Sequence, residues 1–231
     1  MPQPATIHLR PTAPLAERAL LPGDPGRALA LAQELLSEPK MFNHHRGLWG
    51  YTGAARDGQP LTIQATGMGG PSAAIVLTEL IALGVGRAIR VGTCGALAPD
   101  LSLGQLVIAR EAICADGASR ALGAGERARA DDALTDSLIA HAPGARAGTI
   151  VSVDLFYDDD ASRPRAADAL AIEMEAATLF AVGANAGVAV ACVLAVSDVF
   201  DASGARTRID DRALLGAAER MGAAAVAALG A

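Results

Sequence analysis

Short apolar runs of strand length recur along the chain at residues 19–22, 61–66, 88–92, 106–109, 149–151 and 188–197. They are nearly continuous rather than alternating, the pattern of strands buried on both faces. Helical patterns lie between many of them. Residues 25–36 follow Asp24, a capping residue, and residues 71–83 open with proline in the first turn and stop at Gly84. Residues 175–186 and 210–229 predict two further helices. Strands alternating with helices imply an α/β fold whose mostly parallel or mixed sheet is covered on both faces. The polar stretch 117–132 reads as one exposed loop, and no repeat or linker divides the chain, so a single domain over residues 1–231 is expected.

Composition narrows the classes. With 52% apolar residues, a chain of 231 residues has ample material for one core. A formal net charge of -6 offers no broad basic surface to a polyanion, so nucleic acid is not an expected partner. Isolated arginines can still build a local anion pocket. Residues 1–10 lack a basic segment followed by an apolar run, and no later apolar stretch is read as long and unbroken enough to span a bilayer. A cytoplasmic protein without a membrane partner is expected. Cys94, Cys114 and Cys192 are odd in number, far apart and set in apolar sequence, so they read as buried small hydrophobes rather than a disulfide framework or metal site.

In sheets of this kind, chemistry gathers where strands run out into loops, because backbone donors and helix N-termini converge there. Four motifs have that placement. In Leu21-Pro22-Gly23-Asp24-Pro25-Gly26-Arg27, Gly23 admits an anion close to the backbone and Arg27 adds a charged fork, although the same turn can be only a turn. Thr66-Gly67-Met68-Gly69-Gly70-Pro71-Ser72 could admit phosphate or sugar. It is not a dinucleotide fingerprint, since Ser72 stands where the last glycine would. Arg90-Val91-Gly92-Thr93-Cys94-Gly95-Ala96 places an arginine inside an apolar strand, where it needs a carboxylate or a phosphate partner. Finally, Glu173-Met174-Glu175 and Val196-Ser197-Asp198 end or interrupt apolar sequence with acids; either Glu175 or Asp198 could serve only as a cap.

Together these motifs resemble the nucleoside phosphorylases built as trimers of dimers, which include bacterial purine nucleoside phosphorylases, methylthioadenosine phosphorylases and uridine phosphorylases. The resemblance covers nearly the whole chain. It rests on the order and spacing of Gly23-Asp24-Pro25-x-Arg27, the Gly67-to-Ser72 loop, Arg90-x-Gly92-Thr93-x-Gly95 and Glu173-Met174-Glu175-Ala176-Ala177-Thr178. It implies a mixed sheet forming a distorted barrel surrounded by helices, and a homo-oligomer, a hexamer built as a trimer of dimers. It places phosphate on Gly23, Arg27, Arg90 and Thr93, with Arg46 entering from the neighbouring subunit. Ribose falls to Met68, Met174 and Glu175, with His8 reaching the 5′ end from the partner. Phe156 resembles the residue that stacks on the base, with Glu173 and Asp198 beside it.

The activity the resemblance implies is phosphate-dependent cleavage of a nucleoside to base and ribose 1-phosphate, with phosphate as co-substrate and no cofactor or metal. Asp198 would protonate purine N7 as the bond breaks, assisted by one of Arg206, Arg208 and Arg212. A purine is expected over a pyrimidine, because Tyr157 is followed by Asp158, Asp159 and Asp160 and a short route to Glu173, with no visible clamp for uracil. Residues 8–27 are similar to archaeal methylthioadenosine phosphorylases, so 6-amino purines and a 5′-methylthio group also enter the expected range. A nucleosidase would use water instead, but it has no need of Arg27, Arg46 and Arg90. A non-enzymatic nucleoside-binding protein would not need both Glu175 and Asp198.

Overall fold

The computed structural model describes residues 6–157, 168–201 and 204–231. Its first strand, β1 (Arg18–Leu21), is buried along its length and leads into the turn at Gly23. Asp24 then caps α1 (Pro25–Leu35), accepting from the amides of Gly26 at 2.9 Å and Arg27 at 3.3 Å, while Pro25 fills a position where no amide hydrogen is needed. A meander follows, β2 (Leu36–Asn43), β3 (Gly50–Ala55) and β4 (Pro60–Gln64), with a 3-10 turn at His45–Gly47 between the first two. Next come α2 (Gly70–Leu83), stopped at the left-handed Gly84, and the two long strands β5 (Arg87–Ala96) and β6 (Leu106–Ala115). The remaining elements are α3 (Gly117–Ala121), β7 (Arg127–Arg129), α4 (Asp132–His141), β8 (Arg146–Val153), β9 (Ala171–Glu173), α5 (Ala176–Ala186), β10 (Ala189–Phe200), β11 (Arg206–Arg208) and α6 (Asp211–Gly230).

The strands form one mixed sheet that closes on itself. β10 pairs in parallel with β5 and antiparallel with β6, β6 and β9 each run parallel to β8, and β9 returns antiparallel to β5. That ring is the distorted barrel. β1 continues the sheet beside β5, followed by β4, β3 and β2, while β11 and β7 flank β10 and β6. Helices cover both sides. Val76, Leu77 and Leu80 of α2 meet Leu179 and Phe180 of α5 in one core, and Leu31 and Leu35 of α1, Leu138 of α4 and Met221 and Leu229 of α6 build the other. Each such side chain contributes about 1.5–3 kcal/mol on full burial. The three cysteines are free and buried, as expected of small hydrophobes.

One expectation is corrected. Stretch 117–132 is not one exposed loop: Asp116 caps α3 through the Ser119 amide, and β7 pairs with β6, with Ser119, Ala128 and Ala130 buried. Its Arg-Ala-Arg sequence shows a single inward residue, too little to read as a strand. By length and composition α6 could also cross a bilayer, with a mean hydropathy of 1.3. In this fold it is a core helix. Gly222 lies so close to α1 that a Cβ there would stand 2.7 Å from Leu35 Cδ1.

Candidate active site

Arg90 enters the structure near the middle of β5 and its guanidinium turns toward the carboxyl end of the strand. There a Cβ on Gly92 would lie 2.8 Å from its Cζ, so glycine at 92 is what leaves room for the head group. Arg90 Nε donates to Glu173 Oε2 at 2.9 Å and Nη2 to Glu175 Oε2 at 2.6 Å, all three side chains being buried. Burial opposes the charge on Arg90, but Glu175 and Glu173 outweigh it and raise the pKa above the ordinary arginine value. The third nitrogen, Nη1, is buried without a hydrogen-bond partner among the described residues. An unsatisfied buried donor on a cation costs well over a kilocalorie and marks a place for an acceptor.

The two glutamates divide their work differently from the sequence pattern. Glu175 holds the N-cap position of α5, yet its side chain makes no cap bond. The cap is Glu173, which accepts from the amides of Glu175 at 2.9 Å and Ala176 at 3.0 Å and from the hydroxyl of Ser152. Glu173 is therefore turned wholly inward, toward Arg90 and the start of α5. Glu175 Oε1 instead accepts from the Gly69 amide at 2.6 Å, tying the glycine loop to the acid. A carboxylate offers about four acceptor positions, so Glu175 retains capacity beyond these two bonds. Met174 between them is half-buried, and Met68 on the loop is exposed.

Asp198 is aimed by a bulge. The pairing of β10 with β5 slips between Val196 and Asp198, so Ser197 is the extra residue and Asp198 is turned relative to the rest of the strand. Its carboxylate is buried and accepts from Ser197 Oγ at 2.6 Å, Arg206 Nε at 2.6 Å and Arg208 Nη1 at 3.2 Å. Arg208 stands opposite Asp198 across the β10–β11 ladder. Arg206 is also placed over the ring of Phe156, 4.9 Å from its centroid, and thereby joins the aromatic segment to the acid. Arg206 and Arg208, not Arg212, are the arginines on Asp198.

Around this centre the glycine loops lean on one another: Gly67 N donates to Gly23 O at 3.0 Å, and a Cβ on Gly23 would meet Gly67 O at 3.1 Å. Arg27, half-buried on the first turn of α1, has its pKa lowered chiefly by burial, with Asp24 opposing and the charges of Arg90 and Arg208 adding to the fall. Three cations thus act on one region. Thr93 is half-buried further along β5.

His8 and Arg46 sit on segments held by other partners. Neither has a hydrogen bond or ion pair with Arg90, Glu175 or Asp198 among the described residues. Arg46 is exposed in the 3-10 turn with φ 58°, a left-handed conformation unusual for a side-chain-bearing residue. Buried Asn43 and Gln64 hold that turn through the Leu48 carbonyl, at 2.5 and 2.9 Å. His8 Nδ1 lies 2.7 Å from Glu79 Oε1 on α2. Burial opposes the charge on Glu79, but the Leu9 amide, the His8 ring and the amides of His8 and Ile7 hold its carboxyl below the usual range. Sequence reasoning missed Ser152, the Gly69 amide and Glu79. Ser152 and Glu79 sit among apolar neighbours with nothing local to distinguish them. Asp158, Asp159 and Asp160 lie outside the described residues.

A closed mixed barrel with an acid-held arginine at its strand ends and glycine turns before two helices defines a class: residues 17–230 match the family described as the phosphorylase superfamily, and the chain belongs to it. Its relatives include three named purine nucleoside phosphorylase DeoD-type. That of Caldanaerobacter subterraneus subsp. tengcongensis is 38% identical over 195 residues, covering 80% of this chain and 83% of that protein. The proteins from Geobacillus kaustophilus and Clostridium beijerinckii are 36% and 37% identical, over 84% and 90% of this chain and 86% and 92% of their own lengths.

Proposed function

We propose that this chain is a purine nucleoside phosphorylase, cleaving the N-glycosidic bond of purine ribo- and deoxyribonucleosides reversibly with inorganic phosphate. The observation that carries the reading is the buried guanidinium of Arg90, paired to two acids and left with one unpartnered nitrogen, in the field of Arg27. Two such forks, with the backbone at Gly23 and the hydroxyl of Thr93, suit a phosphate. The names of the relatives agree with it.

In this reading the spare acceptor positions of Glu175 take the ribose hydroxyls, and Met68 and Met174 line the sugar. A phosphate oxygen forms the new bond to C1′ as the bond from C1′ to N9 breaks and its electron pair passes into the purine. Positioning and charge supply most of the acceleration. Asp198 gives a proton to N7, and Arg206 and Arg208, placed against its carboxyl oxygens, stabilise the carboxylate that forms. Phe156 stacks on the base; Glu173 acts from beneath, through Arg90 and the start of α5. No cofactor takes part.

Arg46 and His8 serve a neighbouring copy. Beside them the surface carries large apolar side chains: Ile7, Met41 and Trp49 are exposed on or near these segments, Met68 on the glycine loop and Ile75 on α2. A second copy of the chain on this face completes each pocket, in a hexamer built as a trimer of dimers. Its three buried free thiols suit the cytoplasm.

The test is release of hypoxanthine from inosine with and without phosphate, beside adenosine, methylthioadenosine and uridine. Strict phosphate dependence and preference for purines are expected. Equal release in phosphate-free buffer means a nucleosidase, and good turnover of uridine with poor turnover of inosine means a uridine phosphorylase.

A further inference from the structure

Glu79 lies far along α2 from the glycine loop and takes no part in the chemistry above, yet its carboxylate is among the most heavily used in the molecule. It accepts from the amides of Ile7 at 3.2 Å, His8 at 3.1 Å and Leu9 at 2.7 Å, and from the His8 ring at 2.7 Å. Structural anchoring of the N-terminal segment explains the three amides. It does not explain the ring.

An ionised carboxylate only accepts hydrogen bonds, so Nδ1 of His8 must carry the proton of that bond. Nε2 is then the ring's remaining nitrogen. The backbone of His8 is pinned as well, its carbonyl accepting from His45 Nδ1 at 3.0 Å. With Nδ1 held by Glu79 and the backbone held by His45, the ring is restricted in orientation, and 27% of the side chain is exposed. Nε2 accepts a hydrogen bond when the ring is neutral and donates one when it is charged. A hydroxyl meets either need, whereas a methyl or methylthio group meets neither.

We propose that Glu79 is a positioning residue that locks His8 with Nε2 presented to the 5′ position of a nucleoside bound in the neighbouring copy, selecting substrates that carry a 5′-hydroxyl. The proposal rests on the shared pocket described above. It adds a determinant for the 5′ substituent and sets the 5′-hydroxyl above the 5′-methylthio group as the preferred substituent.

The experiment compares kcat/KM for inosine and 5′-deoxyinosine, at saturating phosphate, in the wild-type enzyme, Glu79→Gln, His8→Ala and the double variant. Loss of one hydrogen bond in a partly desolvated site corresponds to a wild-type preference for inosine of roughly tenfold or more. Glu79→Gln is expected to bring that preference within about threefold while leaving the rate on 5′-deoxyinosine and the phosphate response unchanged, because a neutral amide has one accepting oxygen to share among three backbone amides and the ring and holds the ring less firmly. His8→Ala should likewise bring the preference within about threefold, and the double variant should lower it no further than either. If the Gln variant does not fold, as shown by its melting curve, Glu79→Asp replaces it with the same expectation. A variant that keeps the full preference overturns the proposal, as does one that loses both substrates equally. A wild-type enzyme indifferent to the 5′-hydroxyl overturns the placement of His8, whereas one that fails on inosine altogether overturns the phosphorylase reading instead.

Discussion

Arg90 shows how one side chain can be read two ways from sequence and only one way in space. A buried arginine demands an acid or an anion, and here it has two acids and a nitrogen to spare. Arg90→Lys keeps the charge but not the fork, so it cannot serve Glu173, Glu175 and a phosphate together. Initial rates against phosphate concentration should show kcat/KM for phosphate reduced roughly 10²- to 10³-fold, two charge-assisted bonds being lost. Arg90→Ala in addition leaves two carboxylates buried and unpaired, which should lower stability by about 3–5 kcal/mol in denaturant titrations. An unchanged phosphate response in the lysine variant would remove Arg90 from the anion site. Asp198 is the second residue on which the reading turns. Asp198→Asn should lower kcat on inosine roughly 10²- to 10⁴-fold, with KM nearly unchanged, since the proton donor is lost but the shape is kept. Wild-type rates in that variant would mean that N7 needs no acid from this position.

At the scale of elements, the site is assembled by where helices start. The first residues of α2 pack directly on α3 and α5: a Cβ on Gly70 would stand 2.5 Å from Thr178 Oγ1 and 2.9 Å from Ala118 Cβ. Only glycine lets α2 begin there and deliver the Gly69 amide to Glu175. Gly70→Val should push the loop away, raising KM for the nucleoside about tenfold and costing about 1–3 kcal/mol of stability. Gly125→Ala, where a Cβ meets nothing within 4 Å, is the control and should change neither. If Gly70→Val has wild-type kinetics, the loop does not set Glu175. The same scale explains what the sequence disclosed. Continuous apolar runs and capped helices were legible because β1, β4, β5, β6, β8 and β10 and helices α1, α2, α5 and α6 bury whole stretches of chain. β2 was not, because its Ser37 to Met41 face outward and only its ends are buried. The anion motifs were legible as glycine and arginine types at strand ends. The bulge at Ser197 that turns Asp198, the exchange of capping between Glu175 and Glu173, and the choice of Arg206 and Arg208 all depend on pairing between distant segments, which local patterns do not encode.

For the whole molecule, the expected site residues fall into two groups with no hydrogen bond or ion pair between them among the described residues. Arg90 pairs with Glu175, Asp198 with Arg206 and Arg208, and Arg27 lies in the field of Arg90 and Arg208, while Arg46 and His8 sit on segments held by Asn43, Gln64 and Glu79. Maintaining Arg46 in a left-handed conformation costs about 1–2 kcal/mol, an expense without return if the side chain serves only its own surface. If it completes a neighbour's phosphate pocket, each chain in a dimer contributes to both sites, and defects in the two groups must complement. Arg46→Ala and Arg90→Ala chains are each expected to be nearly inactive. Unfolded together in equal amounts and refolded, they pair at random, so half of the dimers are mixed. In each mixed dimer one site carries both substitutions and the other carries neither. Roughly a quarter of all sites are then intact, and the mixture should recover roughly a quarter of the wild-type rate per chain, a consequence of two-fold symmetry alone. Subunits that keep Arg46 in their own pocket make two defective sites in every mixed dimer, and the mixture then stays as inactive as its parents. Phosphorolysis of inosine, measured on the mixture and on both parents refolded separately, decides between the two outcomes.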